Sequence, residues 1–109
     1  MPLDSDDCIE RTYLDRAINC FSKIPQLTLY YGKWFFIGDN YKIWNNKCGN
    51  IKYSSYQKLL YGNAIHNSCI YRRNDALACG LYNEQLRGYE DWDFIIRLLY
   101  KDKLVVWDP

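Results

Sequence analysis

From Trp92 onward the chain reads as a helix that has to be buried. Trp92, Ile95, Ile96 and Leu99 recur at i, i+3, i+4 and i+7, one helical face, and Phe94 and Leu98 widen it. A helix apolar over so much of its circumference needs cover from other elements. Its polar positions are few. Asp93 and Arg97 stand four apart and can pair on the surface that remains. Glu90 and Asp91 stand at its start, where unpaired N–H groups and the helix dipole favour negative charge. A glycine turn at Gly80 and a polar stretch from Tyr82 to Gly88 lead into it. Glu90 and Asp91 have two readings: an acidic helix start, or a general base held at the edge of a pocket.

Length and composition set bounds. The chain has 109 residues, one domain or less, and a hydrophobic content of 49% that suits a globular fold. Fourteen Lys and Arg against thirteen Asp and Glu give a formal charge of +1, so no global field steers the chain to nucleic acid. No apolar run is long enough for a transmembrane helix, and the acidic Met1–Asp7 start is not a signal peptide. Five cysteines, an odd number without C-x-x-C spacing, read against a disulfide framework or structural zinc and for a reducing cytoplasm.

The first segment is Leu3-Asp4-Ser5-Asp6-Asp7. Its crowded carboxylates repel one another unless a positive charge sits among them. A hard cation such as Mg²⁺ or Mn²⁺ meets that need. In an extended segment Asp4 and Asp6 point the same way and can reach one ion together. The competing reading is a helix cap, since Asp7 followed by Glu10 is close to a capping box. The two hold together if Asp4 and Asp6 face a ligand while Asp7 or Ser5 caps.

Between these ends the pattern alternates. Ile9, Tyr13, Leu14, Ala17, Ile18 and Phe21 make the stripe of a helix over 9–23, ended by Pro25. Leu27 to Gly38 reads as one strand or two, with Gly32 a bulge or turn. Residues 41–53 read as loop with a short strand. A short helix over 54–61, capped by Ser54 or Ser55, turns Tyr56, Leu59 and Leu60 inward. Ala64 to Tyr71 reads as a strand carrying His66, the one histidine, which reads as a satisfied polar group. Arg72-Arg73 reads as a solvated pair or an anion site before a short helix over 74–79. Lys103 to Trp107 gives a last strand.

Two signatures now stand in order: Leu3 followed by Asp4-Ser5-Asp6-Asp7, and the run Tyr82-Asn83-Glu84 … Gly88-Tyr89-Glu90-Asp91-Trp92-Asp93 before a helix carrying Arg97. Together they resemble the family 2 glycosyltransferases. The resemblance implies an α/β fold of the GT-A type, a partial one lacking its N-terminal nucleotide-binding strands. Residues 1–109 would then be the metal and acceptor side of a catalytic domain. It implies a sugar moved with inversion from a UDP-, GDP- or dTDP-sugar to a saccharide or lipid-linked acceptor. In that family the Asp-x-Asp element holds a Mn or Mg ion and the nucleotide sugar, which here assigns the metal to Asp4 and Asp6 and the donor to Asp4, Asp6 and Asp7. The base becomes Asp91, with Glu90 orienting it, and Tyr89 and Trp92 wall the acceptor pocket.

The resemblance carries further expectations. A metal-ligating histidine of that family lies after the Glu-Asp helix; His66 lies before it, so the role does not transfer. The strands that grip the base and ribose are absent, which points to a missing N-terminal half, or a second copy, as partner. Members of the family often work in the cytoplasm at the inner face of a membrane. The alternative is a non-catalytic glycosyltransferase-like fragment that binds a partner or glycan through its aromatic surface.

Overall fold

Five consecutive residues, Leu27 to Tyr31, are buried, and they form the centre of the sheet. The computed structural model describes residues 1–38, 42–43, 56–101 and 103–109. Strand β1 (Leu27–Gly32) follows helix α1 (Tyr13–Lys23). A two-stranded ribbon comes next, β2 (Phe35–Phe36) antiparallel to β3 (Lys42–Ile43). Then come α2 (Tyr56–Leu59), β4 (Ile70–Tyr71), α3 (Arg73–Ala78), α4 (Glu90–Leu98) and β5 (Leu104–Asp108). The main sheet has the order β4-β1-β5, with β4 antiparallel and β5 parallel to β1. The chain is thus a mixed α/β unit.

Alternation along the strands sorts side chains into two cores, with a register shift between Leu27 and Leu29 setting Leu27 on the face of Tyr30. Leu27, Tyr30, Ile70, Leu104 and Val106 face α1, meeting Tyr13 and Ala17. Leu29, Tyr31, Tyr71, Val105 and Trp107 face the other way, meeting Leu59 of α2 and Phe94, Ile95 and Leu98 of α4. Helices therefore cover both faces, which is why β1 reads as a continuous apolar run. At Gly32 the chain leaves the sheet, and the Tyr13 ring comes within 3.0 Å of where a Cβ would stand.

Several elements differ from the sequence expectations, each for a local reason. Helix α1 starts at Tyr13, not Ile9, because the Glu10 carboxylate accepts both the Thr12 N–H (3.0 Å) and the Thr12 hydroxyl (2.7 Å). Leu14 and Ile18 of the expected stripe are exposed, as is Leu60, just past α2. The expected Ser54 or Ser55 cap lies outside the described residues. The strand expected from Ala64 shrinks to Ile70–Tyr71. Over 63–69 the side chains of Asn63 and His66 accept the N–H groups of Ile65 and Ser68. Such local bonds compete with a ladder.

Two arginines act as clamps. Of the pair Arg72-Arg73, Arg73 is exposed, whereas Arg72 is half-buried and engaged by backbone carbonyls. Its Nε donates to Leu27 O at 2.8 Å, its Nη2 to Phe21 O at 3.3 Å, and its guanidinium lies over the Phe21 ring. Arg97 pairs with Asp93 as the spacing predicts, and its Nη1 and Nη2 also donate to Cys79 O and Leu81 O, both at 2.6 Å. It thereby ties the turn after α3 to α4. A lysine has no planar fork to span three acceptors. Arg97→Ala should cost roughly 2–3 kcal/mol, and Arg97→Lys should recover little of it, measured by urea unfolding.

Among the described residues Cys8, Cys20, Cys69 and Cys79 are free thiols, and no helix is long and apolar enough to cross a membrane. Burial pushes the Cys69 thiol up to about 12, whereas an unfolded thiol titrates near ~8.5. Between those values the unfolded chain gives up its proton first. The stabilisation from this site is complete below the lower value and is lost as pH rises through the upper one. Buried Tyr13 and Tyr30 and half-buried Tyr82 are raised as well, chiefly by burial, and act in the same direction. Urea midpoints should fall between roughly pH 8 and pH 11, and less steeply in Cys69→Ala; an equal slope in the variant would remove the thiol from the account.

Candidate active site

The start of α4 is set by its backbone. Tyr89, the residue before the helix, sits in the left-handed region (φ 60°), directly after Gly88. Its carbonyl accepts the first helical bond, from Asp93 N–H at 2.9 Å. Glu90, Asp91 and Asp93 then crowd the first turn, where the helix dipole favours them. Asp91 spends one oxygen on the Trp92 N–H (2.7 Å). Among the described residues its other oxygen has only a long contact, 3.5 Å, from the Asn63 amide. A carboxylate with one oxygen fixed and one nearly free is oriented and still able to take a proton. Glu90 is exposed, and its side chain has no hydrogen bond or ion pair among the described residues.

The aromatic neighbours separate in role. Trp92 donates its indole N–H to Leu59 O at 2.7 Å and so ties α4 to α2. Tyr89 is 75% exposed and meets Trp92 edge-on, with ring centroids 6.0 Å apart. The two rings form a surface pair beside the first turn of α4, with Tyr89 the more open.

At the amino end, the segment is a turn and not an extended strand, since Asp7 N–H donates to Asp4 O at 3.1 Å. The alternation that would aim Asp4 and Asp6 in one direction does not apply to it. Asp7 caps no helix, because α1 begins six residues later. Asp4 and Asp6 are exposed and Asp7 is half-buried. Among the described residues no three His, Cys, Asp or Glu side chains gather into a metal-ligating group. The described residues build no protein-only cage. What the turn offers is hard carboxylate oxygens in the open, suited to an ion that takes one or two carboxylates and completes its shell with water and substrate phosphates.

One short segment reaches both acidic clusters. Asn63 contacts Asp91, Asn67 donates to Asp4 Oδ1 at 3.4 Å, and His66 Nε2 lies 4.0 Å from Asp7 Oδ2. Asn63 and Asn67 are four residues apart, at most ~14 Å between Cα atoms. Asn67 also accepts the Tyr82 hydroxyl at 3.3 Å, which ties the loop before α4 to the amino-terminal turn. Tyr82 itself stacks on Phe94 of α4 at 4.6 Å. The buried Cys69 thiol, raised first by burial, feels both the positive amino terminus and the Asp91 carboxylate.

Asn63, His66 and Asn67 escaped the sequence reading as connectors. The signal was available: three consecutive polar residues, His66, Asn67 and Ser68, interrupt the strand expected over 64–71, and Asn63 stands just before it. A cavity of about 400 Å³ opens beside this segment, past the carboxyl ends of β1 and β5. Of the residues singled out at the two acidic motifs, Asp7 lines it; Asp4, Asp6, Glu90 and Asp91 do not.

No protein-family model, no curated protein and no solved structure matches the chain.

Proposed function

We propose that the chain is the metal- and acceptor-side part of an inverting glycosyltransferase of GT-A type, using Asp91 as its base. The observation that supports this reading is the link between its two acidic motifs: the 63–67 segment contacts Asp91 at one end and Asp4 at the other. The parallel β1–β5 pair, with helices on both faces of the sheet, accords with the α/β fold that the resemblance implies.

The chemistry follows from the carboxylates. An acceptor hydroxyl is a poor nucleophile until a base takes its proton, and Asp91 Oδ2 is the oxygen left for that. As the proton moves to Asp91, the acceptor oxygen bonds to the anomeric carbon, and the bond to the nucleoside diphosphate breaks on the opposite face. The configuration inverts. Asp4 and Asp6 would hold a divalent cation, which supplies neutralisation of the charge growing on the diphosphate. Glu90, exposed beside Asp91, would orient the acceptor, and the Tyr89–Trp92 pair would flank it. A saccharide or lipid-linked acceptor fits the open side of this pair.

A second reading, a non-catalytic binding module, draws on the apolar residues of α1 that face outward, Leu14 (43% exposed) and Ile18 (63%). Calorimetry with UDP-, GDP- and dTDP-sugars in Mn²⁺ separates the two, because a binding module has no use for a donor. In the transfer-competent protein, Asp91→Asn should lower turnover by ~10²–10⁴ while donor affinity holds, since amide and carboxylate have similar shape but only one is a base. Unchanged turnover in that variant removes Asp91 from the role.

A further inference from the structure

We infer that the cavity beyond the ends of β1 and β5 is a binding site for a neutral saccharide ring, with His66 and Asp7 reading one of its hydroxyls. The volume, about 400 Å³, suits one or two sugar rings and falls in the usual range of small-molecule sites. Its walls are of two kinds. Tyr13, Tyr31, Trp34 and Ile9 supply apolar surface, and Asp7, His66, Ser68 and Lys33 supply polar groups. A sugar ring has the matching duality, with C–H faces and hydroxyl edges.

Charge argues for a ring without phosphate. Lys33 and Arg16 face three carboxylates, Asp7, Glu10 and Asp108. Arg16 is already engaged, at 2.8 Å to Glu10 and 2.7 Å to Asp108. Among the described residues the lining therefore holds no surplus of positive charge to reward an anion.

The hydroxyl position comes from His66. Its Nδ1 accepts the Ser68 N–H at 3.2 Å and lies 2.8 Å from the Ser68 hydroxyl. In the neutral ring the hydrogen therefore sits on Nε2. That nitrogen lies 4.0 Å from Asp7 Oδ2, too far for a direct bond. A hydroxyl oxygen about 2.8 Å from both closes the gap at roughly a right angle. It would accept from Nε2–H and donate to the carboxylate. The imidazole cannot swing freely, because its ring lies against Trp34 with centroids 3.9 Å apart. The donor is thus held, and its spacing from the Asp7 carboxylate is one that a single hydroxyl satisfies.

The inference rests on the transferase reading only in taking the bound ring for a unit of the acceptor remote from the one that Asp91 would deprotonate, since Asp91 does not line the cavity. Binding needs neither donor nor metal, so it is tested apart from Asp91. Amide shifts of the ¹⁵N-labelled chain report titrations with glucose, galactose, N-acetylglucosamine and lactose. Glucose 1-phosphate serves as the charged probe and glycerol as the acyclic one. At least one neutral sugar should shift residues 31–34 and 66–69 saturably, and glucose 1-phosphate and glycerol should bind more weakly. His66→Phe keeps the ring packed on Trp34 and deletes the Nε2–H, so affinity should fall about tenfold. Cys8→Trp, an exposed change at the rim, should block binding without touching the core. The inference fails if no neutral sugar gives a saturable shift, if glucose 1-phosphate or glycerol binds as tightly, or if His66→Phe binds like the wild type.

Discussion

Strand β1 gives both edges and both faces to the rest of the molecule. Its edges bond β4 on one side and β5 on the other, and its side chains alternate between the two cores. A strand committed this way has no solvent face, so its register is fixed by packing on both sides. The arginine clamps build outward from it. Arg72, just past β4, holds the link between α1 and β1 through Leu27 O and Phe21 O. At the far end, Asp108 of β5 accepts from Tyr30 of β1 at 2.6 Å and from Arg16 of α1. Strand, helix and parallel neighbour are thereby locked at both ends.

The segment from Asn63 to Cys69 works on a different principle. It has little regular hydrogen bonding, and polar side chains fold it onto itself and onto distant carboxylates. Ile65 and Cys69 anchor it in the larger core, so its amides and imidazole are carried on a buried base. Polar groups mounted on buried residues keep a defined geometry at modest cost in entropy, because the backbone is already ordered. That mounting is what gives the contacts from Asn63, His66 and Asn67 to Asp91, Asp7 and Asp4 their structural meaning.

How legible this was depended on the kind of signal. Helix α4 was readable because its apolar period is long and its Asp93–Arg97 spacing is geometric; the structure buries Ile95 and Leu99 of that face and the widening Phe94 and Leu98, and leaves Trp92 and Ile96 half-buried. Strand β1 was readable from its apolar and aromatic run. Ile9 fitted the stripe of α1, yet one carboxylate, Glu10, held Thr12 and delayed the helix, and hydropathy does not register such a bond. The roles of Arg72 and Arg97 differed in the same way. Arg97 has a partner four residues away, whereas Arg72 reaches carbonyls 45 and 51 residues distant, which no local pattern encodes. Of the candidate site, the identities and order of the carboxylates were visible in the sequence, but the asparagines that reach them were not. Asn63 and Asn67 matter only because the fold carries residues 4 and 91 to them.

The left-handed backbone at Tyr89 has a consequence for how this region can vary. A residue other than glycine in that conformation costs about 1–2 kcal/mol, and the first bond of α4 depends on it. Yet the ring itself is mostly in water. For folding, position 89 is therefore permissive in side chain and strict in torsion. Glycine or asparagine would sit there with relief, while valine or isoleucine would twist the first turn and swing the neighbouring carboxylates off their bearing.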